Sequence, residues 1–292
     1  MHILYGSDIE LDLFQPTTLI TAMDVHPSRR DDIETESGFH TRPAVSLGSL
    51  TDCFGNVNQR VTAQSGVLGL KLTGVIRDTG LKDKVNLSAA TVPISELAGD
   101  VLPFLAASRY CETDLLSNFA WSHFGGIVGG WAKVQAICDF VHDRLVFSYP
   151  NARETRTATQ AIEERSGVCR DFAHLAVTLC RCLNIPARFC NGYLGDIGVE
   201  PDPAPMDFNA WFEAYLEGGW YTFDARHNEP RIGRILISRG RDASDVAMIT
   251  SFGPHRLRKF EVFTEELRQQ AIAADPFVDY CNVSTRGEKP AA

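Results

Sequence analysis

The chain has 292 residues, 44% of them hydrophobic and 22% charged, a length and balance that suit two modest globular domains and exclude a disordered chain. Its formal net charge is −9 and it carries no long basic run, which excludes nucleic acid as the main partner, because a phosphate-binding surface needs a basic excess. No apolar run is long enough to cross a bilayer, so no membrane partner is expected.

Residues 2–98 read as short strands with no convincing helix. Ile9, Leu11 and Leu13 alternate with Glu10 and Asp12, and Leu19, Thr21, Met23 and Val25 keep the same period. Residues 53–58 read as a hairpin tip, and 67–72 with 75–76 as further strand. This pattern predicts an antiparallel sandwich or barrel over residues 1–105. Residues 99–113 form the crossover into a second domain, residues 106–283, that begins with helices. Residues 115–124 read as one helix. Val134, Ile137, Cys138, Val141 and Leu145 give a clearer apolar stripe after the Gly129-Gly130 break. Residues 157–164 read as a short helix with Thr157 or Thr159 near its start. The last residues, 284–292, are polar and read as a loose tail.

The stretch with most chemistry follows. Ser166 and Gly167 are acceptable helix caps, and Phe172, Leu175, Ala176, Leu179, Cys180 and Leu183 recur at helical spacing. Asn184 and Pro186 end the helix. Cys169 therefore falls in the first turn, where free N–H groups and the positive dipole end favour a thiolate and an amide could hold an oxyanion. The alternative for a free cysteine is an inert, buried core residue. Residues 187–194 read as a strand. Residues 206–216 and 220–224 flank Glu217-Gly218-Gly219 and read as a hairpin. The Pro-rich loop 200–205 borders a groove or simply connects. Residues 235–238, 246–249 and 257–263 are taken as further strands of the hairpin's sheet.

Four segments carry a resemblance: Gly-Val-Cys-Arg-Asp-Phe-Ala-His at 167–174, Asn-Ile-Pro-Ala-Arg at 184–188, Asn-Ala-Trp-Phe-Glu-Ala-Tyr at 209–215 and Trp-Tyr-Thr-Phe-Asp-Ala-Arg at 220–226. Over about residues 130–230 the chain resembles the transglutaminase-like superfamily. More loosely, the whole chain is similar to bacterial transglutaminase-like proteins regarded as candidate cysteine proteases. The resemblance implies an α+β fold: an N-terminal antiparallel β domain followed by a papain-like transglutaminase core. It also implies Cys-His-Asp chemistry, in which a thiolate attacks an amide of a peptide or protein and a thioester forms. Cys169 matches the nucleophile and Asp224 the carboxylate, while Asn209 stands where the family's catalytic histidine is expected. Asn cannot take a proton at pH 7, so the general base is missing from that position. Three readings follow: a cysteine hydrolase or acyltransferase with its base replaced, a pseudoenzyme that binds a peptide or protein in the cleft, or a substitution introduced to inactivate the site. Asn209→His is expected to raise the amidase rate about a hundredfold.

Other residues are candidates for the site. His174 lies five positions after Cys169, about 140° around the helix, so it reads as structural. His227 reads as a solvated loop histidine, with a role in the site as the alternative. Trp131, Tyr149 and Trp211 are groove-wall candidates or core. Eight cysteines without regular spacing, and residues 1–8 without the features of a signal peptide, imply reduced thiols and a cytoplasmic protein. Cys180-Arg181-Cys182 lacks a second metal-ligand pair, so no metal and no cofactor are expected.

Overall fold

The computed structural model describes residues 1–267; the tail expected over 284–292 lies outside the described residues. The N-terminal part holds β1 (His2–Leu13), β2 (Thr17–Thr21), β3 (Ile33–Glu36), β4 (His40–Arg42), β5 (Leu47–Thr51), β6 (Val57–Ala63) and β7 (Gly66–Arg77). Then come α1 (Thr113–Phe124), α2 (Gly130–Arg144), β8 (Val146–Phe147), α3 (Ala158–Glu164), β9 (Ser166–Gly167) and α4 (Cys169–Cys182). The last described strands are β10 (Ala187–Tyr193), β11 (Asn209–Leu216), β12 (Gly219–Phe223), β13 (Ile235–Gly240), β14 (Ile249–Ser251) and β15 (His255–Leu267). The fold is the expected α+β mixture, a β-rich N-terminal region followed by a core of helices packed on a sheet.

Two sheets make the β-rich region, with strand orders β15-β1-β7-β3 (β4 also pairing β7) and β14-β2-β6-β5. All their pairings are antiparallel. Alternation in β1 turns Ile3, Tyr5, Ile9, Leu11 and Leu13 into a core shared with Leu19, Val61, Leu68, Leu70 and Leu72. Two strands differ from the expected assignment. β14 pairs β2 and β15 pairs β1 along its whole length, so the C-terminal strands complete the N-terminal sheets and do not extend the hairpin's sheet. Pairing satisfies the row of N–H and C=O groups that β1 would otherwise expose on that edge.

The second layer is the sheet β12-β11-β10-β13 with the helices packed on it. Val134, Ile137, Cys138 and Val141 of α2 and Leu175, Ala176 and Leu179 of α4 meet Phe212, Ala214, Leu216, Tyr221 and Phe223 in one core. Burying a side chain such as Phe212, fully removed from solvent, contributes about 1.5–3 kcal/mol. α3 starts where the sequence placed it: Thr157 accepts from the Gln160 amide, and the Gln160 side chain returns to the Thr157 amide. The hairpin turn uses Gly218 and Gly219 at φ of 89° and 122°, the left-handed region where a side chain is strained. Tyr193, Ile235 and Ile237 of this second sheet also enter the N-terminal core, so the two regions pack directly on each other.

Candidate active site

The start of α4 departs from the expected cap. Ser166 and Gly167 form β9, a short parallel pairing with Val146 and Phe147, and the helix begins at Cys169 with Val168 as its cap residue. Valine has no side-chain acceptor, so capping comes from the third helical residue. Asp171 reaches back and accepts from the Val168 amide at 2.9 Å, and takes Arg156 Nη1 at 3.0 Å. Both side chains are buried, and Arg156 is held further by Glu164 and the Asn151 carbonyl. A Cβ on Gly167 would lie 2.6 Å from Asp171 Cβ, which explains the glycine two residues before the cysteine. This buried ion pair fixes the backbone on which Cys169 stands.

Cys169 is half-buried and packs against the small cluster Ala173, Phe189, Ala210 and Val246. Its sulfur donates to the Phe208 carbonyl at 4.0 Å, and the Ala210 amide is close enough to favour the thiolate. The thiol is thus seated on the first turn of α4 against the opening peptides of β11, on either side of Asn209. Burial pushes its pKa up to about 11; the nearby Arg226 guanidinium pulls it down and Asp207 and Asp224 push it further up. Burial outweighs the helix dipole, whose help is about 0.3–1 kcal/mol, so the resting group is a thiol.

Asn209 and Asp224 are not hydrogen-bonded to each other. β11 and β12 register Phe212 opposite Phe223, and pairing ends there. Asn209 Oδ1 accepts from Arg226 Nη1 at 3.2 Å, and the Arg226 guanidinium lies over the Phe147 ring at 3.8 Å. Asp224 sits just past the end of β12 and turns to its own loop. Its Oδ1 accepts the Arg226 and His227 amides at 3.0 and 3.1 Å, and its Oδ2 takes Arg234 Nη2 at 3.0 Å and His227 Nδ1 at 2.8 Å. Burial alone would raise this carboxyl, but Arg234 and then His227 more than offset it and hold it well below the usual range. Arg234 in turn is bound through Nε to Asp83 at 2.9 Å.

A cleft of about 380 Å³ runs along this side, lined by Tyr149, Asp207, Asn209, Arg226, His227 and the 200–205 loop among others; the Pro-rich loop does border a groove. Cys169 itself is not among the residues that line it. Tyr149 and Asp207 influence one another across the cleft, and burial raises both, Tyr149 to about 12. Trp131 and Trp211 are core: Trp131 meets Phe223 at 4.6 Å between ring centres, and Trp211 is buried with Arg234 over its ring. His174 is turned away from the cleft, its Nε2 accepting the Ala243 amide at 3.1 Å. Cys180 and Cys182 are buried in the helical core.

Sequence reasoning missed Arg226 and Arg234, and it gave His227 a role in the site only as the alternative to a solvated loop residue. The available signal was the Asp-Ala-Arg-His spacing, because an Asp that accepts amides two and three residues on turns the third side chain back onto itself. Among the described residues no helix is long and apolar enough to cross a membrane.

Residues 127–225 match the family model of the transglutaminase-like superfamily. Over 90 residues the chain is 36% identical to the uncharacterized protein ML0607 of Mycobacterium leprae (strain TN), covering 30% of this chain and only 32% of that protein. It is 32% identical to a crystal structure of a candidate cysteine protease from Cytophaga hutchinsonii, with a TM-score of 0.80 over 92% of this chain and 91% of that one. The periplasmic domain of TgpA from Pseudomonas aeruginosa overlaps more loosely, at 14% identity and a TM-score of 0.40 over 77% of this chain and 88% of that one. With the cysteine at the head of α4, the hairpin β11–β12 beside it and a near-complete structural match, the chain belongs to the transglutaminase-like superfamily.

Proposed function

We propose that this protein is a thiol-dependent hydrolase or acyltransferase acting on amide bonds of a peptide or protein, with Cys169 as nucleophile. The observation that carries this is the seat of Cys169: the first residue of α4, its sulfur 4.0 Å from the Phe208 carbonyl at the mouth of β11. The name of the Cytophaga hutchinsonii neighbour, a candidate cysteine protease, favours the same reading. Attack forms a sulfur–carbon bond and an oxyanion, collapse breaks the carbon–nitrogen bond and releases the amine, and water or an acceptor amine then resolves the thioester. A cytoplasmic setting goes with this reading.

The test uses p-nitrophenyl acetate, with acetyl transfer to each cysteine read by intact and peptide mass spectrometry. Cys53 is exposed and serves as the internal reference thiol. Cys169 is expected to be acetylated at least about tenfold faster than Cys53 and to turn over, and Cys169→Ala to abolish that fast phase. Equal rates at the two cysteines would sink the proposal. With iodoacetamide, which needs only the thiolate, labelling of Cys169 should climb about tenfold per pH unit above pH 7 and level near 11.

A second reading has its own observation. Asn209 is engaged with Arg226 and the thiol is protonated at rest, as a pseudoenzyme that binds a peptide in the cleft would permit. Peptide binding with no acyl transfer to Cys169 would favour it.

A further inference from the structure

We propose that His227, oriented by Asp224, is the acid–base residue of this site and takes the place left by Asn209. This rests on Cys169 being the nucleophile. The His227 Nδ1–Asp224 Oδ2 distance is 2.8 Å, which sets Nδ1 as the protonated donor and leaves the lone pair on Nε2. Nε2 has no hydrogen bond to the described residues, and the side chain, 21% exposed, lines the cleft beside Asn209 and Arg226. A histidine with one nitrogen fixed by a buried carboxylate and the other free in a cleft is the arrangement general acid–base catalysis requires.

The loop that carries it is anchored. The Asn228 amide donates to the Asp224 carbonyl at 2.8 Å. Asn228 is also bound to Asp139 and Gln135 of α2, and His142 of α2 meets the Arg226 carbonyl at 2.9 Å. Ordering of this kind holds a catalytic group in place before substrate arrives. The Cys169 sulfur lies 4.0 Å from the Phe208 carbonyl, next to Asn209, and Asn209 is bonded to Arg226, the residue before His227, so the nucleophile and the dyad both border the head of β11.

The proton balance closes. His227 Nε2 takes the Cys169 proton as sulfur attacks the carbonyl, and the imidazolium returns it to the leaving amine as the carbon–nitrogen bond breaks. His227 then takes a proton from water as the carbon–oxygen bond forms, and gives it back to sulfur as the thioester opens. Asp224 stays ionised throughout, and Arg234 balances its charge.

The experiment compares native protein, His227→Gln and His227→Gly on p-nitrophenyl acetate, following acetylation of Cys169 and its decay with Cys53 as reference. Glutamine keeps a hydrogen-bonding side chain of similar reach, and thermal unfolding checks that each variant is folded. His227→Gln is expected to slow Cys169 acetylation about 10²–10⁴-fold with Cys53 unchanged, and added imidazole to restore part of the rate in His227→Gly. If native Cys169 is acetylated fast and His227→Gln keeps that rate, the assignment of His227 is overturned while Cys169 stands. If native Cys169 is no faster than Cys53, the nucleophile reading fails, and the role of His227 with it.

Discussion

The pocket behind α4 and the cleft beside β11 each hold one histidine near a carboxylate, and they treat it in opposite ways. In the pocket, His174 is fully buried, stacked on Tyr110 at 4.9 Å and tilted over Phe189. Its Nε2 accepts the Ala243 amide, Nδ1 is sealed from solvent without a partner among the described residues, and burial drives its pKa down to about 3 against the pull of Asp242. In the cleft, His227 has its carboxylate partner in direct contact and its other nitrogen open. Surroundings decide the role: where both ring nitrogens face protein the histidine is a packing group, and where one faces open space it can move a proton.

The most damaging way to break the contrast is Asp224→Asn. It removes the anchor of His227 and leaves the buried Arg234 with Asp83 as its remaining carboxylate, so we expect a loss of about 3 kcal/mol, read as the urea midpoint, together with loss of fast Cys169 acetylation. His174→Ala separates the two regions from the other side. Losing the stacked ring and the acceptor for Ala243 should cost about 2–4 kcal/mol while acetylation per folded molecule stays within about threefold. A large rate loss with little destabilisation would place His174 in the site after all.

Acid sharpens the comparison. The folded pKa of His174 lies near 3 and the ordinary value is 6.5. Below pH 6.5 the unfolded chain takes up a proton that the folded pocket refuses, so stability present above 6.5 falls steadily toward pH 3. The contribution at pH 5 is about 2 kcal/mol. Denaturation at pH 7 and pH 5 should show that difference shrinking in His174→Gln. The smallest effect is expected from Asn209→His. With His227 as the base, this change should alter Cys169 acetylation by less than about threefold; the hundredfold gain expected from sequence would instead locate the missing base at position 209.

Local pattern determined much of this protein. The stripe Val134, Ile137, Cys138, Val141 predicts α2, the Thr157–Gln160 box starts α3, the Gly218-Gly219 pair turns the hairpin, and Cys169 heads its helix. Each depends on residues within a turn or two of one another, so the chain encodes it directly. The tertiary structure decided what those signals cannot reach. β15 pairs β1 across almost the whole described chain, and no period in residues 255–267 names that partner. Asp171 caps α4 because Arg156 neutralises it, and Asp224 holds His227 because Arg234 and Asp83 compensate its buried charge from elsewhere in the fold. The cost of burying a charge is met by whichever groups the fold brings within reach, and that is a property of space rather than of sequence neighbours.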